Sequence, residues 1–300
     1  MLVSIFIENY LSFKEPVTFS LEASPIKEHF DSNTFETSIT GLRLLKGCAI
    51  YGANGSGKSN LLKALRFITR FINESAKESQ ANDSIDITHF KLSTSTEGKP
   101  SVIEIKLIVN DVMYRYGFEA DKIRVHREWL YATKKIKEYC FFERNGNTYN
   151  IDLAKFSEGD EAIQSRTREN VLFLSAVAQW NGEIASNVIK GINDIMFLGD
   201  EPLKPNYTLS LSKDPQYKPS IQSLLDSADL GINSFITQQI TYPESYLREL
   251  TLDRRKEIPH EQVYMLHNKL DENNSIVGET SLDLVTEESQ GTKKFFYLAG

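Results

Sequence analysis

The stretch Gly52-Ala53-Asn54-Gly55-Ser56-Gly57-Lys58-Ser59 constrains this chain more than any other part of it. It has the form G-x-x-x-x-G-K-S. Glycines let the backbone wrap tightly, so that successive N–H groups point into one concavity. A helix that opens at the lysine turns its N-terminus, with its unpaired N–H groups, toward the same point. Such a concavity takes a phosphate group. Lys58 then adds a point charge for the β- and γ-phosphates, and the Ser59 hydroxyl is placed to ligate Mg²⁺. The pattern implies that ATP binds through Gly52, Asn54, Gly55, Ser56, Gly57, Lys58, Ser59 and the following Asn60.

The flanks supply the context this mechanism requires. Leu44 to Tyr51 is apolar and reads as a buried strand entering the loop, with Cys48 in the core. After Ser59 the period changes, and Leu61, Leu62, Leu65, Ile68, Phe71 and Ile72 fall on one helical face. Upstream, Met1 to Ile7 and Val17 to Leu21 read as strands separated by Glu15-Pro16, and residues 24–42 as a loop with partial order.

Residues 74–100 are polar and loop-like. Alternation returns with Val102, Ile103, Ile105, Leu107 and Val109, then Asn110-Asp111, then Val112 to Phe118, a hairpin signal. Val125–Thr133 and Glu138–Arg144 look like further strands, and Asn145-Gly146-Asn147 is a turn before Tyr149. A small antiparallel sheet over 101–153 follows. Val171 to Ile195 reads as helical, Pro202, Pro205, Pro215 and Pro219 mark a loop region, and Ile221 to Phe235 reads as a helix with Asp226 and Asp229 outward. Val263–Lys269 and Ile276 onward flank Asp271–Asn274 as a hairpin, and a helix starts after Glu288.

Composition sets outer bounds. Of 300 residues, 40% are hydrophobic and 25% charged, enough for a sizeable core. A formal net charge of −7 gives no global field drawing the chain onto nucleic acid. The clusters Lys134, Lys135, Lys137 and Arg254, Arg255, Lys256 read as solvated faces. Two cysteines, Cys48 and Cys140, make no disulfide scaffold and fit a reducing cytoplasm, the expected location. The five histidines show no metal-ligand spacing. No run approaches the roughly 20 apolar residues of a membrane span, and no signal peptide is visible.

Asn54 narrows the class. Gly-x-Asn-Gly-Ser-Gly-Lys-Ser resembles the phosphate loop of ABC-type ATPases, including the SMC and RecF branches. The opening Ile5-Phe6-Ile7-Glu8-Asn9-Tyr10-Leu11-Ser12-Phe13 resembles the first strand and turn of that branch. Glu288-Ser289-Gln290-Gly291-Thr292-Lys293-Lys294 looks like the Ser-x-Gly-Thr form of the ABC signature, found in RecF/OLD-like bacterial ATPases tied to abortive infection and phage defence. Asn170 to Gln179 also resembles that group.

The resemblance implies an α/β fold. It would comprise an ABC-ATPase-like P-loop domain, an antiparallel β subdomain and an inserted helical region. Expected segments are a P-loop lobe over 1–100, the β subdomain over 101–153, a helical insert over 154–262, and a hairpin with the signature helix over 263–300. Lys58 and Ser289 stand 231 residues apart without sustained heptads, so no long coiled coil is expected.

It further implies that two chains pair head to tail as a homodimer or higher homo-oligomer with two ATPs between them. Ser289 and Gly291 would cap the γ-phosphate held by the other chain's loop. Gln179 becomes the glutamine that reaches Mg²⁺ and the attacking water, giving Lys58, Gln179 and Ser289 as catalytic residues and Ser59 and Gln179 as metal ligands. Asn9, Ser12 and Lys14 would flank the nucleotide. From the residues alone, Ser289 also reads as a plain helix cap.

The family carries an Asp-Glu pair and a switch histidine after its signature, and these are expected beyond Gly300. The 300 residues alone are therefore expected to bind ATP better than they hydrolyse it. Gly199-Asp200-Glu201 mimics such a pair but precedes the signature. The expected function is an ABC-type ATPase acting as sensor or motor in bacterial phage defence. Its partner would be a nuclease or toxin effector, with DNA a further candidate and no membrane. The alternatives are a RecF-like DNA-repair ATPase, a non-catalytic nucleotide-gated scaffold and a small-metabolite kinase.

Overall fold

Apolar residues spaced two apart build the first half of the chain into strands, and residues spaced three and four apart build the helix that covers them. The computed structural model describes residues 1–77, 80, 83–195, 197, 206–228, 230–239 and 261–299. In chain order the elements are β1 (Leu2–Glu8), β2 (Val17–Ser20), α1 (Phe30–Asn33), β3 (Thr34–Glu36), β4 (Arg43–Leu45) and α2 (Lys58–Glu74). Then come β5 (Ser101–Val109), β6 (Val112–Ala120), β7 (Val125–Thr133), β8 (Glu138–Asn145) and β9 (Thr148–Ile151). Helices α3 (Glu161–Arg166), α4 (Phe173–Gln179), α5 (Glu183–Asn193), α6 (Asn206–Ser212) and α7 (Lys218–Ser227) follow. The chain closes with β10 (Ile232–Gln239), β11 (Glu261–Leu270), β12 (Ile276–Asp283) and α8 (Gln290–Leu298). The elements form two compact units, Met1–Phe197 and Leu198–Gly300.

In the first unit, among the described residues, an antiparallel sheet runs β2-β1-β5-β6-β7-β8-β9. The sheet expected over 101–153 is thus part of a larger one, because β1 pairs along β5 with Ile5 opposite Ile105 and Ile7 opposite Ile103. The Asn110-Asp111 turn takes φ 48° and 62°, the two left-handed residues that a tight hairpin with right-handed strand twist requires. One face of the sheet carries Ile5, Ile7, Ile105, Tyr116, Phe118, Leu130 and Phe142, all fully buried. Helix α2 buries Leu61, Ala64, Leu65, Phe67, Ile68, Phe71 and Ile72 in the same core. The Phe67 and Phe71 rings meet Phe118 edge-on at 6.3 and 5.4 Å. Gly191 lets α5 lie on β5, since a Cβ there would sit 2.2 Å from Val109 Cγ2.

A buried carboxylate joins the sheet to α4. Glu128 on β7 faces the core, and its oxygens accept from Phe173 N (2.6 Å), Leu174 N (2.9 Å) and Tyr116 Oη (3.0 Å). It therefore caps the start of α4 from across the core, where the first helical N–H groups lack intrahelical partners. Arg144 Nη1 stands 3.6 Å away and donates to the Val171 carbonyl at 2.6 Å. Burial pushes the Glu128 carboxyl above its ordinary range, opposed by Arg144, and burial with the neighbouring Glu128 pushes the Tyr116 phenol well up.

The second unit is a three-stranded antiparallel sheet, β10-β11-β12, among the described residues. Its core gathers Leu209, Ile221, Leu225, Phe235, Met265 and Phe296, from α6, α7, β10, β11 and α8. No helix among the described residues is long and apolar enough to cross a membrane.

Several expectations are corrected. Only Arg43–Leu45 of the run leading to the phosphate loop is strand, paired with β3. Residues 46–51 join no ladder among the described residues. Cys48 is exposed rather than core, and Ile50 and Tyr51 are 44% and 91% exposed. The helix expected over 221–235 ends at Ser227; Gly231, at φ 68°, reverses the chain, and Phe235 lies on β10 opposite Met265. Asp226 is exposed as expected, while Asp229 lies outside the described residues. So do Pro202, Pro205, Gly199–Glu201 and Arg254–Lys256. Pro219 belongs to the first turn of α7, where its missing N–H costs nothing. Residues 24–42 hold α1 and β3.

Replacing Glu128 with Ala should destabilise the protein by about 3–5 kcal/mol, because Arg144 would stay buried without its counter-charge and α4 would lose its cap. Denaturant unfolding measures this; a loss under about 1 kcal/mol would show that the pair does not anchor α4.

Candidate nucleotide site

The loop Gly52–Ser59 turns into α2 through two left-handed glycines, Gly55 at φ 82° and Gly57 at φ 98°. Gly57 is also crowded, since a Cβ would sit 2.7 Å from Ser12 Oγ and 3.5 Å from the Phe13 ring. At Gly52 a Cβ would sit 2.7 Å from Ser56 Oγ. A side chain at Gly57 would collide with the turn after β1, and one at Gly52 with Ser56 across the loop. Ser56 N donates to Ala53 O at 3.2 Å, closing the turn.

Lys58 opens α2 and folds back over the loop, its Nζ donating to the Gly52 and Ala53 carbonyls at 2.5 and 2.8 Å. Gly57 stands at the cap position, where no side chain accepts from the first turn. The leading N–H groups of α2, the exposed Ser59 and the Lys58 ammonium therefore lie at one point, as an anion site requires. These residues fit a magnesium-bound triphosphate. Asn54 and Gly55 are exposed in the loop. Asn60 instead donates from Nδ2 to Ser12 Oγ at 2.9 Å, tying α2 to the turn after β1.

The turn after β1 divides by role. Ser12 touches the loop. Asn9 is buried, its Nδ2 donating to the Lys99 and Pro100 carbonyls and its Oδ1 accepting from Phe90 N, so its amide is committed to holding the chain together. This corrects its expected place beside the nucleotide. Lys14 stands 3.6 Å from Glu15.

Gln179 is the exposed last residue of α4. Ser175 of that helix donates to the Ile72 carbonyl at 2.7 Å, and Ile72 lies about 21 Å along α2 from Lys58 at 1.5 Å per residue. No described hydrogen bond joins Gln179 to the loop.

Ser289 and Gly291 belong to the second unit. The Ser289 hydroxyl caps α8, accepting from Thr292 N at 3.0 Å and lying 2.9 Å from Thr292 Oγ1. Asp283 builds the turn before it, accepting from Val285 N and Thr286 N, and Lys293 Nζ donates to Val285 O at 2.6 Å. Ser289, Gln290 and Gly291 are all exposed, so the helix start faces solvent. The cap expected from the residues alone is present.

A family model described as "AAA domain, putative AbiEii toxin, Type IV TA system" matches residues 48–300. The chain belongs to this AAA family. The match begins just before the phosphate loop and runs through α8, so it covers both motif regions. No curated protein matches the chain. Membership makes this a P-loop AAA-type ATPase family protein, with a link to toxin–antitoxin systems through the family's description.

Lys58→Ala should abolish ATP binding, because the loop loses its fixed cation against a triphosphate. Isothermal titration reads this, and unchanged affinity would remove Lys58 from that role.

Proposed function

We propose that this AAA-family protein is an ABC-type ATPase that binds and hydrolyses ATP as a nucleotide-gated sensor or motor in bacterial phage defence, together with a toxin or nuclease effector. The observation that carries the reading is the loop itself: left-handed glycines, a helix start without a side-chain cap and Lys58 folded back onto the loop carbonyls. The family's toxin–antitoxin description supports the effector context.

In this reading the Lys58 ammonium leaves the Gly52 and Ala53 carbonyls and moves onto the β- and γ-phosphates. The backbone N–H groups at the start of α2 hold the same oxygens, and Ser59 ligates Mg²⁺. When bound, Mg²⁺ neutralises charge on the transferring phosphate. Ser289 and the Gly291 backbone of a second chain meet the γ-phosphate and close a head-to-tail pair. The exposed start of α8 supports this placement. Gln179 is kept as a candidate for orienting water. The net charge of −7 gives no support to the DNA-repair alternative.

Ser289→Arg should leave ATP affinity unchanged and block ATP-driven pairing of two chains. A helix cap alone would cost about 1 kcal/mol of stability and leave association untouched. Sedimentation with and without ATP separates the two; a Ser289→Arg protein that pairs like its parent would sink the signature reading.

A further inference from the structure

Both ring nitrogens of His267 face oxygen atoms. Nδ1 lies 2.9 Å from the Gly231 carbonyl oxygen, and Nε2 lies 2.5 Å from Glu288 Oε1. A carbonyl only accepts, so Nδ1 carries a hydrogen. The Nε2 contact needs a hydrogen as well, because two facing lone pairs at that distance repel. A neutral histidine with an ionised glutamate supplies only one of the two. The arrangement therefore holds one extra proton, as an imidazolium facing a carboxylate or an imidazole facing a carboxylic acid. The two side chains are 19% and 7% exposed, so water can compensate little for a lost contact.

The place of this pair gives it leverage. Gly231 leads into β10, His267 lies on β11, and Glu288 immediately precedes Ser289. One ring thus ties the start of β10 and strand β11 to the start of α8. The strand partners of His267, Ile232 on β10 and Thr280 on β12, are uncharged. In the turn before α8, Glu287 accepts from Asp283 N, Asp283 accepts from Val285 and Thr286, and Lys293 donates to Val285. Among the described residues, Glu288 is the charged group that pairs with the ring.

We propose that His267 is a positioning residue: the hydrogen it shares with Glu288 fixes the start of α8, and removing that contact frees the Ser289–Gly291 segment and weakens ATP-driven pairing. The second half rests on the reading of Ser289 as a γ-phosphate cap. Without the ring, the contact that ties Glu288 to β11 is gone, and the segment Glu288 leads into loses its hold on the sheet.

Two readouts on the full chain test it, both at one pH. Hydrogen exchange at Thr292 and Lys293, whose amides bond to Ser289 Oγ and O, reads the tether without nucleotide. Sedimentation with ATP reads pairing. In His267→Ala protection should fall about tenfold, the size of one hydrogen bond to a charged group, and pairing should fall with it. In His267→Gln an amide can still donate to Glu288, so both should return toward the parent. Glu288→Ala should lower both as His267→Ala does and guards against a folding defect in the first variant. Protection that superimposes in the parent and both alanine variants, or a His267→Gln chain as unprotected as His267→Ala, would overturn the proposal. Lower protection in the alanine variants, with a Ser289→Arg chain that still pairs on ATP, would keep the tether and discard the γ-phosphate role of Ser289.

Discussion

Helix α2 can present a phosphate loop at its first residue because the rest of its length is clamped to a sheet. A loop of glycines has little stiffness of its own, and the conformational entropy of ordering it must be offset elsewhere. Here the offset comes from the stripe Leu61 to Ile72 on the sheet's apolar face, with the Phe67–Phe71–Phe118 ring cluster at its centre. Each large apolar side chain buried this way contributes about 1.5–3 kcal/mol. Asn60 and Ser12 carry the clamp to the loop itself, so the turn after β1, the sheet and the loop move as one construction.

Carboxylates, one buried and one half-buried, hold the starts of the helices that pack behind the sheet. Glu128 holds the start of α4, while Glu158 accepts from Ile184 N and Ala185 N and so holds the start of α5. Both helices begin without a capping side chain of their own. A carboxylate delivered from a distant segment does what a local Ser or Asp does elsewhere, and it also fixes where the helix lies. The same device recurs in the second unit in local form, with Ser289 capping α8 and Asp283 ordering the turn that leads to it.

The sequence was most legible where one local rule decides the outcome. The left-handed pair Asn110-Asp111 announces its hairpin, and Ser289 its cap, because turn and cap chemistry act over four residues. The phosphate loop was legible for the same reason. The run Leu44–Tyr51 was misread because an apolar stretch becomes a strand only where a neighbour offers free N–H and C=O groups, and that depends on distant segments. Ile221–Phe235 mixed two periods, and one glycine at position 231 separated them. Asn9 was placed beside the nucleotide by analogy, yet its amide is spent on Lys99, Pro100 and Phe90, partners some 80 to 90 residues away. The Glu128–Arg144 pair and the His267–Glu288 pair had no sequence signal, since each joins residues whose spacing carries no motif.

The central claim is that the phosphate loop of one chain and the start of α8 of another form one site. Mixing tests it directly. A Lys58→Ala chain keeps its Ser289, and a Ser289→Arg chain keeps its loop, so a mixed pair contains one intact composite site while either homogeneous pair contains none. The account predicts that ATP-driven pairing, read by sedimentation and absent in each variant alone, returns when the two are combined in equal amounts. A mixture that pairs no more than its separate components, with both chains folded, would contradict it.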